Sequence, residues 1–288
     1  MIELFQDYNV ERSNMKKRMV RTKMKYNRLL PLLIFFVIAC QTVPLTGRRQ
    51  LSIIPAGEIL SMSATSYKDF LSEHPVITGT NDAAMIKRVG IRIQRAVEKY
   101  FAENNLSDRL QGYKWEFNLV DDKAVNAWCM PGGKVVVYTG ILPIAQDDKG
   151  LAVVMGHEIA HAVANHGDER MSQGLIAQMG GMALSTALAS KPKQTTDLFM
   201  TAFGIGTQVG VLLPYGRLQE SEADRLGLIF MAMAGYDPHE APVFWQRMSS
   251  GKQGAAPPEF LSTHPADQTR ISNLQKQMPE ALSYYRKQ

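Results

Sequence analysis

The feature that most constrains this chain is a pair of histidines four residues apart, His157 and His161, with Glu158 directly after the first. Residues four apart on an α-helix lie on nearly the same face, one turn apart, so both imidazoles can reach a single metal ion. Glu158 lies roughly 100° further round the helix and can approach a water molecule beside that ion. This H-E-x-x-H pattern is typical of two zinc ligands followed by a general base.

The residues around this motif predict a buried helix from about 149 to 166, which Asp147 or Asp148 can cap. Its apolar positions are Leu151, Val153, Val154, Ile159 and Val163. Two imidazoles and a carboxylate are costly to bury unless they bind something. A chance match on an ordinary helix is the alternative interpretation.

A catalytic zinc site needs a third protein ligand and an open fourth position. His166 is unsuitable, because nine residues place it near the opposite side of the helix from His157. Glu220 and Asp224, 59 and 63 residues after His161, share a helix face at i, i+4. We expect Glu220 to complete a His₂Glu site and Asp224 to orient a ligand imidazole by a hydrogen bond.

Glu222 lies roughly 200° round the helix from Glu220 and is expected to point elsewhere. The alternative for the whole acidic cluster is a solvated helix face that forms ion pairs with Arg217 or Arg225. Outside these motifs, His74, His166 and His239 are predicted to be surface or packing residues.

The remaining pattern predicts one α+β domain that is mainly helical, with a small β-sheet beside the H-E-x-x-H helix. Strands are predicted over 113–120 and 134–139. The other predicted helices are 55–70, 81–103, 172–189, 195–212, 217–234, 238–249 and 266–278. The Met- and Ala-rich stretch 175–189 is more typical of a buried core helix than of a membrane span.

The first 39 residues are predicted to be an export signal, in which a basic stretch ending at Arg28 precedes a short apolar run over 29–39. Residues 1–23 are possibly an over-extended start. Cys40 follows Val-Ile-Ala, an order that resembles a lipoprotein cleavage site, so Cys40 is predicted to carry lipid. Residues 40–55 would then be a lipid-anchored tether on a membrane surface, and 56–288 the zinc-binding domain. A plain signal peptide with a chance cysteine is the alternative.

Charge and cysteine content narrow the function. The net charge of +5 depends largely on the basic residues of the signal segment, so no nucleic-acid partner is expected. With two cysteines, Cys40 and Cys129, a disulfide framework or a cysteine-ligated metal is improbable, and Cys129 is expected to be a buried apolar thiol.

The two motifs together resemble the gluzincin zinc metallopeptidase family of the CAAX prenyl endoprotease and HtpX. The resemblance is greatest to its bacterial envelope lipoprotein branch, with BepA and LoiP, and to the mitochondrial protease Oma. Asn126 and Ala127, ahead of Pro131-Gly132-Gly133, are similar to a family segment beside the substrate cleft. His264 and Arg270 are similar to its C-terminal His-Pro…Arg motif. Trp128 and Cys129 depart from the smaller or aliphatic residues expected there, which leaves the cleft shape in doubt.

This resemblance implies one Zn²⁺ per chain, bound by His157, His161 and Glu220, with Glu158 as the general base. His264 is the candidate second catalytic group, with Arg270 as the weaker one. In some relatives the matching histidine instead binds zinc as an inhibitory plug, and a helix cap before Pro265 is a further alternative. An extended substrate could pair with the strand edge near Asn126.

Three functions remain open at this point. The favoured one is an endopeptidase that acts on misfolded or envelope polypeptides in the periplasm. It is expected to be anchored through Cys40 at the outer membrane, with outer-membrane assembly components as partners. The second is a zinc-dependent periplasmic chaperone or assembly factor with weak or latent proteolysis. The third is a purely structural zinc site.

Overall fold

The computed structural model describes residues 40–43, 45–179, 186, 192–205, 216–250, 260, 264 and 268–285. The predicted export signal and the residues on either side of His264 lie outside them. The helices are α1 Ala56–Glu73, α2 Asn81–Glu103, α3 Leu142–Ala145, α4 Asp148–Val163, α5 His166–Met179, α6 Pro192–Ala202, α7 Gly216–Met233, α8 Glu240–Ser250 and α9 Gln268–Tyr284. The strands are β1 Cys40–Thr42, β2 Arg49–Leu51, β3 Val76–Ile77, β4 Glu116–Val120, β5 Ala127–Met130 and β6 Lys134–Tyr138.

Four of the strands form one mixed sheet in the order β3-β4-β6-β5. β4 runs parallel to β6, whereas β5 runs antiparallel to β6 and forms the last strand of the sheet. Side chains alternate between the two faces of a strand, and both faces of β6 are covered. Val135 and Val137 join the core with α2 and α4, while Val136 and Tyr138 join a second core with α1 and α6. This explains why β6 reads as a continuous apolar run.

Helices α4 and α7 cross at two glycines, and this contact brings the two predicted motifs together. A Cβ atom added to Gly156 would lie 3.0 Å from the carbonyl oxygen of Gly227, and one added to Gly227 would lie 3.0 Å from the backbone nitrogen of His157. The two backbones can therefore approach only because neither position has a side chain. The predicted fold class, mainly helical α+β with a small sheet beside the H-E-x-x-H helix, is confirmed.

Helix α4 ends earlier than the sequence predicts. It stops at Val163, and Asn165 takes a left-handed conformation with φ of 58° before α5 begins at His166. The helical projection that placed His166 opposite His157 therefore does not apply, because the chain turns between them.

Strands β1 and β2, within the range predicted as a tether, pair as an antiparallel hairpin, and we call residues 40–43 and 45–51 the N-terminal hairpin. It is followed by Ser52, whose hydroxyl donates to Asp168 of α5, and by Ile53, whose backbone N–H donates to the Ser172 hydroxyl. This part of the chain is thus fixed to the domain. Within the described residues, no helix combines the length and apolar character needed to cross a membrane.

Candidate metal centre

Three side chains from two helices meet at one point, as the sequence predicts. The Nε2 atoms of His157 and His161 are 3.1 Å apart. Glu220, on α7, approaches both: its Oε2 lies 3.3 Å from His157 Nε2 and its Oε1 lies 3.1 Å from His161 Nε2. The two imidazoles are buried and the Glu220 carboxylate is largely buried.

His264 adds a fourth donor from the C-terminal region. Its Nδ1 lies 3.1 Å from His157 Nε2 and 2.9 Å from Glu220 Oε2. One ligand atom from each of the four residues lies within 4.8 Å of the others. Zinc ligands about 2.0–2.2 Å from the ion, at tetrahedral angles, are roughly 3.3–3.6 Å apart. Three nitrogens and a carboxylate at these separations therefore fit a zinc-sized ion, with small outward movements on binding.

The charges in this cluster favour cation binding. Burial lowers the pKa of His161 well below its usual value, which leaves the imidazole neutral with a lone pair. Burial also opposes protonation of His157, but the Glu220 charge and a hydrogen bond to Asp224 raise the pKa of His157 to about 9. Burial acts against ionisation of Glu220, yet the three imidazoles hold the pKa of Glu220 well below its usual range. Glu220 is thus an anionic donor, and a metal ion bound at His157 Nε2 would replace the proton that this carboxylate now stabilises there.

Asp224 lies where the sequence places it, beside a ligand imidazole. Its Oδ1 is 3.0 Å from His157 Nδ1, the nitrogen that faces away from the cluster. Arg270 donates to both oxygens of Asp224, at 2.6 and 2.9 Å, and its guanidinium lies 3.4 Å from the centre of the Trp245 ring. Such a contact fixes the tautomer and orientation of a metal-binding histidine. Arg270 is buried where it bonds to Asp224. Its role in the substrate cleft stays a prediction.

Glu158 is buried next to the cluster. Burial raises the pKa of Glu158 above its usual value, although His264 and His157 act in the opposite direction. Its Oε1 forms no hydrogen bond to any described residue, and His264 Nε2 lies 3.4 Å away. A buried carboxylate oxygen without a partner is costly in a folded protein. The environment of Glu158 Oε1 therefore suits a hydrogen bond to a bound water or ligand.

Asn126 and Ala127 lie at the start of β5, the last strand of the sheet. Asn126 is buried, its Oδ1 accepts from the Ala127 backbone, and its Nδ2 has no hydrogen-bond partner among the described residues. Next to it, the Val125 carbonyl accepts a hydrogen bond from the Phe260 backbone, and the Phe260 ring packs against His264. The C-terminal region therefore contacts both the strand edge and the cluster. Cys129 is buried and unpaired, as predicted.

Two residues near the cluster have contacts that the sequence analysis did not reveal. Glu222 points away from the metal donors, as predicted, and His166, predicted to be a surface or packing residue, is not one of those donors. His166 is fully buried, its Nδ1 lies 2.7 Å from His161 Nδ1, and its Nε2 lies 2.9 Å from Glu222 Oε2. These contacts depend on the end of α4 at Val163, which helical spacing does not predict.

The fold and the cluster define a metallopeptidase centre, with an H-E-x-x-H helix and a carboxylate from a second helix. The model of Peptidase family M48 matches residues 90–278. This chain therefore belongs to peptidase family M48 and is a metallopeptidase.

Several curated proteins are similar to it. It is 32% identical over 250 residues to the mitochondrial metalloendopeptidase OMA1 of Schizosaccharomyces pombe, which covers 86% of this chain and 69% of that protein. The OMA1 metalloendopeptidase of Bos taurus is 32% identical over 257 residues, covering 86% and 48%. The beta-barrel assembly-enhancing protease of Escherichia coli is 23% identical over 264 residues, covering 90% and 52%. The chain thus spans about half to two thirds of the length of these relatives.

Proposed function

We propose that this protein is a zinc-dependent endopeptidase that hydrolyses misfolded or envelope polypeptides. The observation that carries the proposal is the meeting of His157, His161 and Glu220 within 3.3 Å of one another, beside Glu158, whose Oε1 forms no hydrogen bond to a described residue. Membership of the family and relatives with metalloendopeptidase in their names support it. When bound, zinc would polarise the scissile carbonyl and make water more acidic.

Each side chain has a distinct part in the proposed reaction. Glu158 accepts a proton from the attacking water and later delivers it to the leaving amine, and burial, which raises the pKa of Glu158, makes its carboxylate a stronger proton acceptor. Asp224 and Arg270 keep the His157 ring in its binding orientation. An extended substrate pairs with the edge of β5, where Asn126 Nδ2 is available to donate a hydrogen bond.

His264 distinguishes active from latent states. Its Nδ1 lies among the donors, in the position that a catalytic site leaves for water or substrate. In this arrangement the chain itself occupies the cleft, which favours the second candidate function, a chaperone or assembly factor with latent proteolysis. After His264 moves away, its imidazole could instead stabilise the oxyanion that forms on the scissile carbonyl.

We also propose that the protein functions in the bacterial envelope, facing the periplasm and anchored by lipid on Cys40, at the outer membrane. The similarity to the beta-barrel assembly-enhancing protease supports this location and suggests outer-membrane assembly components as partners. Radiolabelled palmitate should be incorporated into the wild type and not into Cys40→Ser, and the variant should appear in the soluble periplasmic fraction.

The proteolytic function is tested with casein and with an unfolded outer-membrane protein as substrates. Glu158→Gln should reduce turnover by roughly 10²–10⁴-fold while zinc is retained, because only the proton acceptor is lost. Equal turnover by wild type and Glu158→Gln would remove the protease assignment. Glu98→Gln on the exposed surface of α2 is the matched control and should behave as wild type.

Two further variants test the ligand set and the state of the cleft. Glu220→Ala should lose most of the zinc measured by atomic absorption, and full retention would show that another residue is the third ligand. His264→Ala should raise turnover if this side chain blocks the cleft, and lower it if the side chain stabilises the oxyanion. If the bound metal exchanges no water in either variant, the result would support the third function, a purely structural zinc site.

A further inference from the structure

A buried chain of hydrogen bonds leads away from the metal centre through His161. His161 points Nε2 at Glu220 and Nδ1 at His166, whose own Nε2 contacts the Glu222 carboxylate. The ring atoms are 2.7 Å apart at the first contact, and nitrogen and oxygen are 2.9 Å apart at the second. All three side chains are buried.

The proton positions along this chain follow from the metal-binding geometry. A histidine that binds a metal through Nε2 carries its proton on Nδ1, so His161 donates to His166 Nδ1. That nitrogen must then be an acceptor, which places the His166 proton on Nε2, directed at Glu222. With both imidazoles neutral and Glu222 ionised, each hydrogen bond has one donor and one acceptor only when His161 is in the tautomer that a metal requires.

We propose that His166 and Glu222 position the metal ligand His161, and that the N-terminal hairpin completes the metal centre by holding Glu222. This inference rests on the proposed metal site. His157 receives its carboxylate directly, from Asp224, whereas His161 receives one through an intervening imidazole. Both ligand rings are thus oriented by a carboxylate, as is usual for metal-binding histidines.

The hairpin contributes the last link. Thr46, in the turn between β1 and β2, donates its hydroxyl to Glu222, and Arg48 donates from Nε to Glu222 Oε2 at 2.8 Å. The same guanidinium pairs with Glu169 Oε2 at 2.8 Å, and Gln219 donates to that oxygen at 2.8 Å. Arg48 thereby connects Glu222 of α7 with Glu169 of α5, next to the contact between Glu222 and His166.

The position of the hairpin gives this arrangement a functional consequence. The hairpin begins at Cys40, the residue proposed to carry the lipid, and Thr46 is only six residues further on. A displacement of the hairpin relative to the domain would free Glu222 and then His166, and the orientation of His161 would relax. The residues next to the proposed anchor are therefore part of the support of the metal centre.

The experiment measures zinc affinity by competition with a chromophoric chelator, together with the melting temperature of the metal-free protein. The variants are Arg48→Ala, Glu222→Gln, His166→Asn and His166→Leu. We expect zinc affinity to fall about 10–100-fold for Glu222→Gln and His166→Leu. The loss of zinc affinity should be smaller for His166→Asn than for His166→Leu, because the Asn side-chain oxygen can still accept a hydrogen bond from His161 Nδ1. Because Arg48 is partly exposed, we expect Arg48→Ala to lower zinc affinity only severalfold.

The matched control is Arg225→Ala, which removes another arginine–carboxylate pair of α7, with Glu280, away from the metal centre. It should lower the melting temperature to a similar degree as Arg48→Ala and leave zinc affinity unchanged. Unchanged zinc affinity in Arg48→Ala and Glu222→Gln, with the wild type binding zinc normally, would overturn the inference alone. A wild type that binds no zinc would instead overturn the proposed function.

Discussion

Asp168 provides a test of the packing between the N-terminal hairpin and α5 that does not depend on the metal. Burial raises the pKa of Asp168 to about 6, from an ordinary value of 3.8, although hydrogen bonds from Ser52 and Ser172 partly oppose the rise. Because the folded state binds this proton more tightly than the unfolded state, the contribution of Asp168 to stability is fully present below about pH 3.8. It is lost as the pH rises through about 6.

The magnitude follows from the difference between the two pKa values. A difference of about two pH units corresponds to ~3 kcal/mol at ~1.4 kcal/mol per unit, and this is an upper bound for a group with two hydrogen-bond donors. Asp168→Asn replaces the carboxyl by a neutral group of the same shape that can still bond to both serine hydroxyls. We expect the variant to be more stable than the wild type by roughly 1–3 kcal/mol at pH 8, and nearly equal to it at pH 4.

The assay is urea unfolding of both proteins from pH 4 to 8, with a chelator present so that metal binding does not contribute. The difference in unfolding free energy between variant and wild type should grow with pH and level off above about 7. Asp69→Asn, at an exposed position on α1, is the control and should show a constant difference. A difference for Asp168→Asn that does not change with pH would refute the reasoning, because it would mean that burial does not act on this carboxyl.

Two further predictions concern the parts that hold the metal centre together. Gly227→Ala places a Cβ 3.0 Å from the His157 backbone nitrogen, so α4 and α7 must shift apart slightly. Chemical denaturation should show an unfolding free energy lower by about 1–3 kcal/mol, and zinc affinity should fall. Gly57→Ala, with nothing within 4 Å, is its control and should retain both properties. Arg270→Lys keeps the charge but loses the two-pronged bond to Asp224; chelator competition should show about tenfold weaker zinc binding, and unchanged binding would show that Asp224 alone orients His157.

Local pattern was a good guide to the secondary structure and a partial guide to the site. The apolar spacing over 81–103 predicted α2, which the structure places over Asn81–Glu103. The spacing of Glu220 and Asp224 predicted one shared helix face, and both side chains do contact the His157 ring, Glu220 at Nε2 and Asp224 at Nδ1. These successes share a cause, because residues three to four apart on one helix have fixed relative positions whatever surrounds them.

The same rule failed where the helix ended. Nothing in the spacing shows that α4 stops at Val163 and that Asn165 turns the chain, so His166 was projected onto a helix that does not reach it. The lipid-anchored tether stays a prediction, but the sequence did not reveal that β1 and β2 pair within it, because a short polar segment containing Pro and Gly fits a hairpin as well as a linker. The difference depends on Ser52, Ile53 and Arg48 finding partners on α5 and α7.

The sequence by itself determined the chemistry: two imidazoles and a glutamate on one helix turn, a carboxylate pair on another, and therefore the class of metal centre. Only the tertiary structure decided what surrounds that chemistry. The contact of Gly156 with Gly227, the entry of His264 among the donors, and the link from His161 to Arg48 all join residues far apart in the chain. Periodicity describes neighbours on one element, whereas close approach between elements depends on shape and packing summed over the whole domain.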